Sequence, residues 1–294
     1  MAKKFGKNKR NKIFIEIIAV LLIFSVWQIN SYIQSKKSAI VEGTVEVHII
    51  DVGQGDCTLI KTEDGNVLID AGTGDSEEAL SDYLEKENID SFEYCIFTHP
   101  HEDHIGGADM IIENYDVENV IMSHVEATSA TFGRLLSALE NSDANIIEAV
   151  AGDVYNVGDL SIIVLAPIVK DSSRDSNNSS VVVRIGYGEI GMLFTGDAEH
   201  AEENDILNSP YSLYLDCDFI KMGHHGSSTS SSENFMDAVS PSLASISCGA
   251  LNSYGHPHRE TINLLNDIGV EYHRTDEEGS LVFICDGKTI NIEK

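Results

Sequence analysis

Apolar positions along the chain fall into two kinds of pattern. Short runs rich in Val, Ile, Leu and Phe predict strands at 44–50, 57–61, 66–70, 92–97, 119–122, 146–150, 160–165, 181–185 and 190–194. Further short strands are expected at 219–221, 243–247, 272–274, 280–285 and 289–292. Helical spacing predicts helices at 76–87, 109–114, 130–140, 197–207 and 259–268. The third of these has its apolar face at Phe132, Leu135, Leu136 and Leu139. Glu63-Asp64-Gly65 and Gly186-Tyr187-Gly188 sit where hairpins turn. Two sets of strands, each interleaved with helices, fit a layered helix–sheet–sheet–helix sandwich. Periodicity alone leaves several α/β arrangements open.

The N-terminus breaks this pattern. Lys3, Lys4, Lys7, Lys9, Arg10 and Lys12 precede a mostly apolar stretch at 13–33, long enough to span a bilayer. The basic flank stays in the cytoplasm and places the remainder of the chain outside. A cleaved signal peptide is the rival reading. The long apolar core and the lack of a small-x-small cleavage site favour an uncleaved anchor. The expected organisation is a basic tail at 1–12, a transmembrane anchor at 13–33, a linker at 34–43 and one domain at 44–294.

Charge divides at the same place. Residues 1–37 take eight of the 19 Lys/Arg and one of the 48 acids, leaving 11 against 47, a net of −36. Such a body repels a nucleic-acid backbone and gains nothing from counterion release. Cys57, Cys95, Cys217, Cys248 and Cys285 are dispersed and mostly in apolar stretches, so buried free thiols are expected.

The densest chemistry lies at Thr98-His99-Pro100-His101-Glu102-Asp103-His104-Ile105-Gly106-Gly107, between a predicted strand and helix. His99 and His101, two apart on extended backbone, point the same way. Asp103 and His104 reach a second position past the turn. Imidazole with carboxylate suits a divalent ion such as Zn²⁺ or Mn²⁺. The glycine pair allows close packing beside the loop.

His99-x-His101-x-Asp103-His104 resembles the signature of the metallo-β-lactamase fold superfamily. Asp51-Val52-Gly53-Gln54-Gly55-Asp56 narrows the resemblance to the ComEC-type competence hydrolase domain. Leu68-Ile69-Asp70-Ala71-Gly72, Thr195-Gly196-Asp197, Gly223-His224-His225-Gly226-Ser227 and Tyr254-Gly255-His256-Pro257 come in the same order. The resemblance covers residues 44–294 and implies an αββα fold with one or two ions.

It implies His99, His101, Asp103, His104 and Asp197 as metal ligands, with Asp197 bridging. Of His224 and His225 one is a ligand, with a slight preference for His224, and the other contacts phosphate or orients the nucleophile. Asp70 is expected as an acceptor behind a ligand imidazole. Asp51 and Asp56 either do the same or cap their own turn. Asp103 is assigned to orient the attacking oxygen, and His256 to contact phosphate or protonate the leaving oxygen. Asn178, Ser227 and His256 are the expected substrate contacts. Many superfamily members carry one more ligand histidine before the bridging aspartate. Here Asn177-Asn178-Ser179-Ser180 stands near that place, which leaves one metal position short of a ligand. His101 stands where many ComEC-type domains have aspartate.

The expected activity is hydrolysis of a phosphodiester outside the cytoplasm, with DNA as the substrate that the competence resemblance implies. The acidic body favours instead an envelope phosphodiester, such as teichoic-acid phosphocholine, or a small nucleotide. A catalytically silent, membrane-anchored binding protein is the reading from another class, and the intact ligand set argues against it.

Overall fold

The computed structural model describes residues 40–170 and 174–293. The expected basic tail and anchor, with most of the linker, lie outside the described residues. Among the described residues no helix is long and apolar enough to cross a membrane.

The first sheet has eight strands in the order β15-β14-β1-β2-β3-β4-β5-β6. These are β1 (Val45–Ile49), β2 (Thr58–Thr62), β3 (Gly65–Ile69), β4 (Ser91–Phe97), β5 (Asp116–Met122), β6 (Asn145–Glu148), β14 (Leu281–Cys285) and β15 (Ile290–Ile292). The second has seven, in the order β13-β12-β11-β10-β9-β8-β7. These are β7 (Val154–Val157), β8 (Leu160–Ala166), β9 (Val182–Tyr187), β10 (Ile190–Phe194), β11 (Phe219–Lys221), β12 (Leu243–Ile246) and β13 (Glu271–Arg274). Each sheet is antiparallel on one side and parallel on the other, across β3–β6 and β10–β13. Parallel neighbours need crossovers. Helices Glu77–Lys86, Ala108–Asn114 and Ala130–Glu140 supply them in one sheet, and His200–Leu207, Glu233–Val239 and Arg259–Ile268 in the other.

Three apolar layers result. Val45, Val47, Ile49, Val67, Ile69, Val183, Ile185, Met192, Phe194 and Phe283 meet between the sheets. Leu68, Leu80, Leu84, Phe92 and Leu135 join the first sheet to its helices. Leu193, Ile206, Ile220, Phe235 and Leu265 do so for the second. Adjacent residues such as Val67 and Leu68 serve different layers. Central strands therefore read as continuous apolar runs rather than as alternation. This is the expected αββα sandwich.

The differences are local. Leu136 is 42% exposed and faces solvent from a helix whose buried side is Phe132, Leu135, Ala138 and Leu139. The expected helix at 197–207 begins only at His200, because Asp197 turns its carboxylate inward instead of capping it. Strand β7, helix Glu233–Val239 and the short helix Thr275–Glu278 are not among the expected elements, and none is longer than seven residues. The five cysteines are buried and free.

Candidate metal centre

The site lies where strand ends from both sheets meet, the place where open α/β layers hold ligands. Thr98 to His101 leave the end of β4, and Asp103 and His104 sit in the short helix Glu102–Ile105 just beyond. Asp70 follows β3, Asp197 follows β10, and His224 and His225 form the turn Gly223–Gly226 after β11. Gly55 lets the Asp51–Asp56 loop press on the ligand helix, since a Cβ there would stand 2.5 Å from the Asp103 carbonyl oxygen. Gly106 packs on the turn at Thr73 and Gly74, where a Cβ would meet the Gly74 nitrogen at 2.2 Å.

Asp103, His104, Asp197 and His225 bring one ligand atom each within 4.8 Å of one another. His225 Nε2 lies 3.2 Å from Asp103 Oδ2 and 3.7 Å from Asp197 Oδ2. His104 Nε2 and Asp197 Oδ1 face each other at 3.2 Å, both buried and neither with a hydrogen-bond partner. Two buried donor atoms left unsatisfied in this way fit a cation placed among them. The electrostatics agree. Burial alone would strip protons from His104 and His225. Asp197 outweighs it, with Asp70 at His104 and Asp56 at His225, so His104 is held well above the usual imidazole range and His225 at about 10. Burial works against ionisation of Asp103 too, yet the His225 bond and the charge of His104 bring it down to about 2. The site is built to hold positive charge.

A second group is thinner. His99 Nε2 lies 3.0 Å from His101 Nδ1 and 3.9 Å from Asp197 Oδ2. Burial, then the charge of His104, keeps His99 well below the usual imidazole range and so free to ligate. His101 is exposed. At the place of the missing histidine, Ser180 Oγ lies 3.4 Å from His99 Nδ1 and accepts from the Asp197 amide at 3.2 Å. It orients the ligands and adds no imidazole.

Supporting contacts hold the imidazoles. Asp70 Oδ2 accepts from His104 Nδ1 and from Thr98 Oγ1, each at 2.7 Å. His225 Nδ1 lies 3.1 Å from the Ser247 carbonyl and 3.4 Å from Asp56 Oδ1. Burial raises Asp56, but the Lys221 ammonium and the two imidazoles outweigh it and keep the carboxyl well below the usual range.

The placement bears on four of the expected residues, and for Asp51 it selects one of the two readings left open. His225, not His224, points into the four-ligand group. Both residues have left-handed backbone, at φ 54° and 49°, so strand alternation does not decide between them. His224 is half-buried on the cleft wall, its Nε2 3.5 Å from Asp197 and its Nδ1 beside Glu199 and Thr229. Asp51 is exposed and caps its own turn by accepting from the Gly53 amide, so it stands behind no ligand. The Asn178 side chain donates to Glu199 and accepts from the Glu202 amide, while its neighbour Asn177 lines the cleft with an unpartnered Oδ1. Ser227 is buried, its hydroxyl 3.0 Å from Thr229 Oγ1, and lies outside the cleft.

The cleft has a volume of about 350 Å³, and its walls include Gln54, Glu102, Asn177, His224, Tyr254 and His256. No Lys or Arg lines it among the described residues. Burial, then the charges of His225, His224 and His258, hold His256 down at about 4. It is neutral at pH 7. Gln54 Nε2, 3.4 Å from His256 Nδ1, ties it to the loop after β1. Gln54 and Ser180 stand inside the sequence motifs with no role assigned to them, and Glu199 and Lys221 are not singled out; Lys221 leaves a signal as a lysine ending an apolar strand.

The sequence matches the family described as the Metallo-beta-lactamase superfamily over residues 50–249. It is 31% identical over 256 residues to ComE operon protein 3 of Bacillus subtilis (strain 168), covering 81% of this chain and 33% of that protein. Competence protein ComA of Neisseria gonorrhoeae is 26% identical over 261 residues, covering 88% and 35%. The chain thus spans about a third of the length of these curated relatives. Among solved structures, the metallo-beta-lactamase fold protein YhfI from Bacillus subtilis superposes with a TM-score of 0.55 at 13% identity, covering 82% of this chain and 100% of that one. That likeness speaks for the fold alone.

Proposed function

Since this chain belongs to the metallo-beta-lactamase superfamily and is of the ComEC type, we propose that it is a metal-dependent phosphodiesterase, held at the membrane by residues 13–33 with its domain outside the cytoplasm. The observation that carries this reading is the group Asp103, His104, Asp197 and His225, in which the buried His104 Nε2 and Asp197 Oδ1 have no hydrogen-bond partner. Its mixed imidazole and carboxylate donors suit Zn²⁺ or Mn²⁺. His99 and His101 would hold a second ion more loosely. A bound ion supplies Lewis acidity and a water that ionises near neutral pH, at about 7 in zinc sites.

The chain does the rest. Asp103, on the cleft wall and ionised, orients the attacking oxygen through a hydrogen bond. His224, set by Glu199 and Thr229, donates to a phosphoryl oxygen. His256 adds a neutral hydrogen bond to the leaving oxygen, and Asn177 contacts the substrate from the position first assigned to Asn178. The competence relatives favour DNA as substrate. A specific observation favours a second reading: among the described residues no Lys or Arg lines the cleft and the body is strongly acidic, so a nucleotide or envelope phosphodiester meets less repulsion than a long strand.

The test is turnover by the full-length chain loaded with Zn²⁺ or Mn²⁺, on bis-p-nitrophenyl phosphate and on single-stranded DNA, with Asp103→Asn as control. Cleavage of DNA that the control loses supports the nuclease. Cleavage of the small diester alone supports the second reading. Turnover of neither by metal-bound protein refutes both and leaves a binding protein.

A further inference from the structure

Lys221 is the last residue of β11, 3% exposed and outside the cleft. Its ammonium donates to Oδ2 of Asp56, itself 4% exposed. Asp56 belongs to the loop after β1 in the first sheet and Lys221 to the second, so the pair crosses the seam beneath the ligands. Each end is tied to ligand-bearing backbone. The Asp56 amide donates to the Asp103 carbonyl at 3.0 Å, and the Lys221 carbonyl accepts from Thr195 Oγ1, two residues before Asp197, at 3.2 Å.

A buried ion pair is a poor way to join two sheets, since apolar side chains of similar volume often do it as well or better. What apolar residues cannot do is hold a carboxylate still behind an imidazole. Asp56 Oδ1 faces His225 Nδ1, and Oδ2 stands 3.9 Å from His104 Nδ1. An acceptor at Nδ1 fixes the ring and its tautomer and leaves Nε2 for an ion. His104 already has Asp70 in that place. His225 Nδ1 is hydrogen-bonded to the Ser247 carbonyl at 3.1 Å, and Asp56 Oδ1, 3.4 Å away and without a hydrogen-bond partner, sets its charge behind the ring.

We propose that Lys221 is a positioning residue of the metal centre: by holding Asp56 in place behind His225 it keeps His225 Nε2 aimed at the space shared with Asp103, His104 and Asp197, and so sets how tightly that space binds a divalent ion. The inference rests on reading that group as the metal centre. It requires Lys221 to act through Asp56 and through nothing else.

The test is the Zn²⁺ affinity of the full-length chain, by competition with a chromogenic chelator, beside the unfolding midpoint of the metal-free protein. Lys221→Met and Asp56→Asn should each weaken binding by about 10- to 100-fold. The double variant should match Asp56→Asn within about threefold, because the lysine has lost its intermediary. Two results overturn the inference: Lys221→Met binding Zn²⁺ as tightly as wild type with only a lowered midpoint, or a double variant as weak as the two losses multiplied. Should Lys221→Met fail to fold, Asp56→Asn against the double variant decides alone, since added loss in the double refutes the route through Asp56. A wild type that binds no Zn²⁺ overturns the metal centre and this inference with it. Wild-type binding with an unaffected Lys221→Met overturns this inference only.

Discussion

Replacing Glu202 with glutamine should make the protein more stable above neutral pH and leave it unchanged in mild acid. Glu202 is fully buried in helix His200–Leu207, five residues after Asp197. Its Oε1 accepts from the Ile168 amide at 3.0 Å, while Oε2 has no hydrogen-bond partner and sits 3.5 Å from Arg174 Nη1. Burial dominates over both contacts and pushes the carboxyl from 4.5 up to about 7. A folded-state pKa above the unfolded one means that the native protein binds the extra proton between those values. Stability therefore falls as pH rises from 4.5 to about 7 and stays low beyond. At about 1.4 kcal/mol per pH unit the full penalty is about 3 kcal/mol. Glutamine carries no charge to penalise and keeps the Ile168 bond, but places an amide NH₂ near Arg174, a cost of about 1 kcal/mol. The net gain expected at pH 8 is about 2 kcal/mol. Urea unfolding of wild type and Glu202→Gln, both stripped of metal, at pH 5 and pH 8 measures it. The site histidines titrate in both proteins and cancel in the difference. A stability difference that does not change with pH would refute the reasoning.

Two further predictions concern the corrected assignments. His225→Ala should weaken Zn²⁺ binding at least tenfold, by loss of a ligand, whereas His224→Ala should keep the affinity and lower kcat; chelator competition and steady-state kinetics separate them, and equal effects on affinity would count against the geometry. Asn178→Ala should cost about 1–2 kcal/mol of unfolding free energy for the Glu202 amide and Glu199 contacts it leaves unmade, while Asn177→Ala should leave stability unchanged and raise KM; the reverse pattern would restore the assignment made from sequence.

Much of the sandwich was legible because its central strands are buried on both faces. The run of β10 is buried throughout, and Cys95–Phe97 of β4 and the first two residues of β11 are buried and apolar, which leaves little else for them to be. Strand β7 was not legible: it has four residues at a sheet edge, three of them exposed or partly so. Helix Glu233–Val239 is short, and its start is set by a Ser232 side chain accepting from the Phe235 amide rather than by any period. The metal loop and Asp197 were legible as residue types between a strand and a helix. The choice between His224 and His225, or Asn177 and Asn178, was not. Each pair sits in a three- or four-residue turn where neighbouring side chains diverge by local dihedrals, and no periodic rule reaches that far.

What a sequence conceals most completely is what makes the gathering of charge tolerable. Asp56, Asp70, Asp103 and Asp197 converge on one small volume, and in water such carboxylates would stay apart. The fold brings them together from both sheets because the apolar layers on either side dictate where β3, β4 and β10 end. The repulsion is answered from within by the ammonium of Lys221, which donates to Asp56. Lys221 and Asp56 are 165 residues apart and adjoin quite different motifs. Neither names the other until the two sheets close. The same closure that gathers these acids therefore supplies their counter-charge, which is why the motifs stand out along the chain while the lysine paired with Asp56 does not.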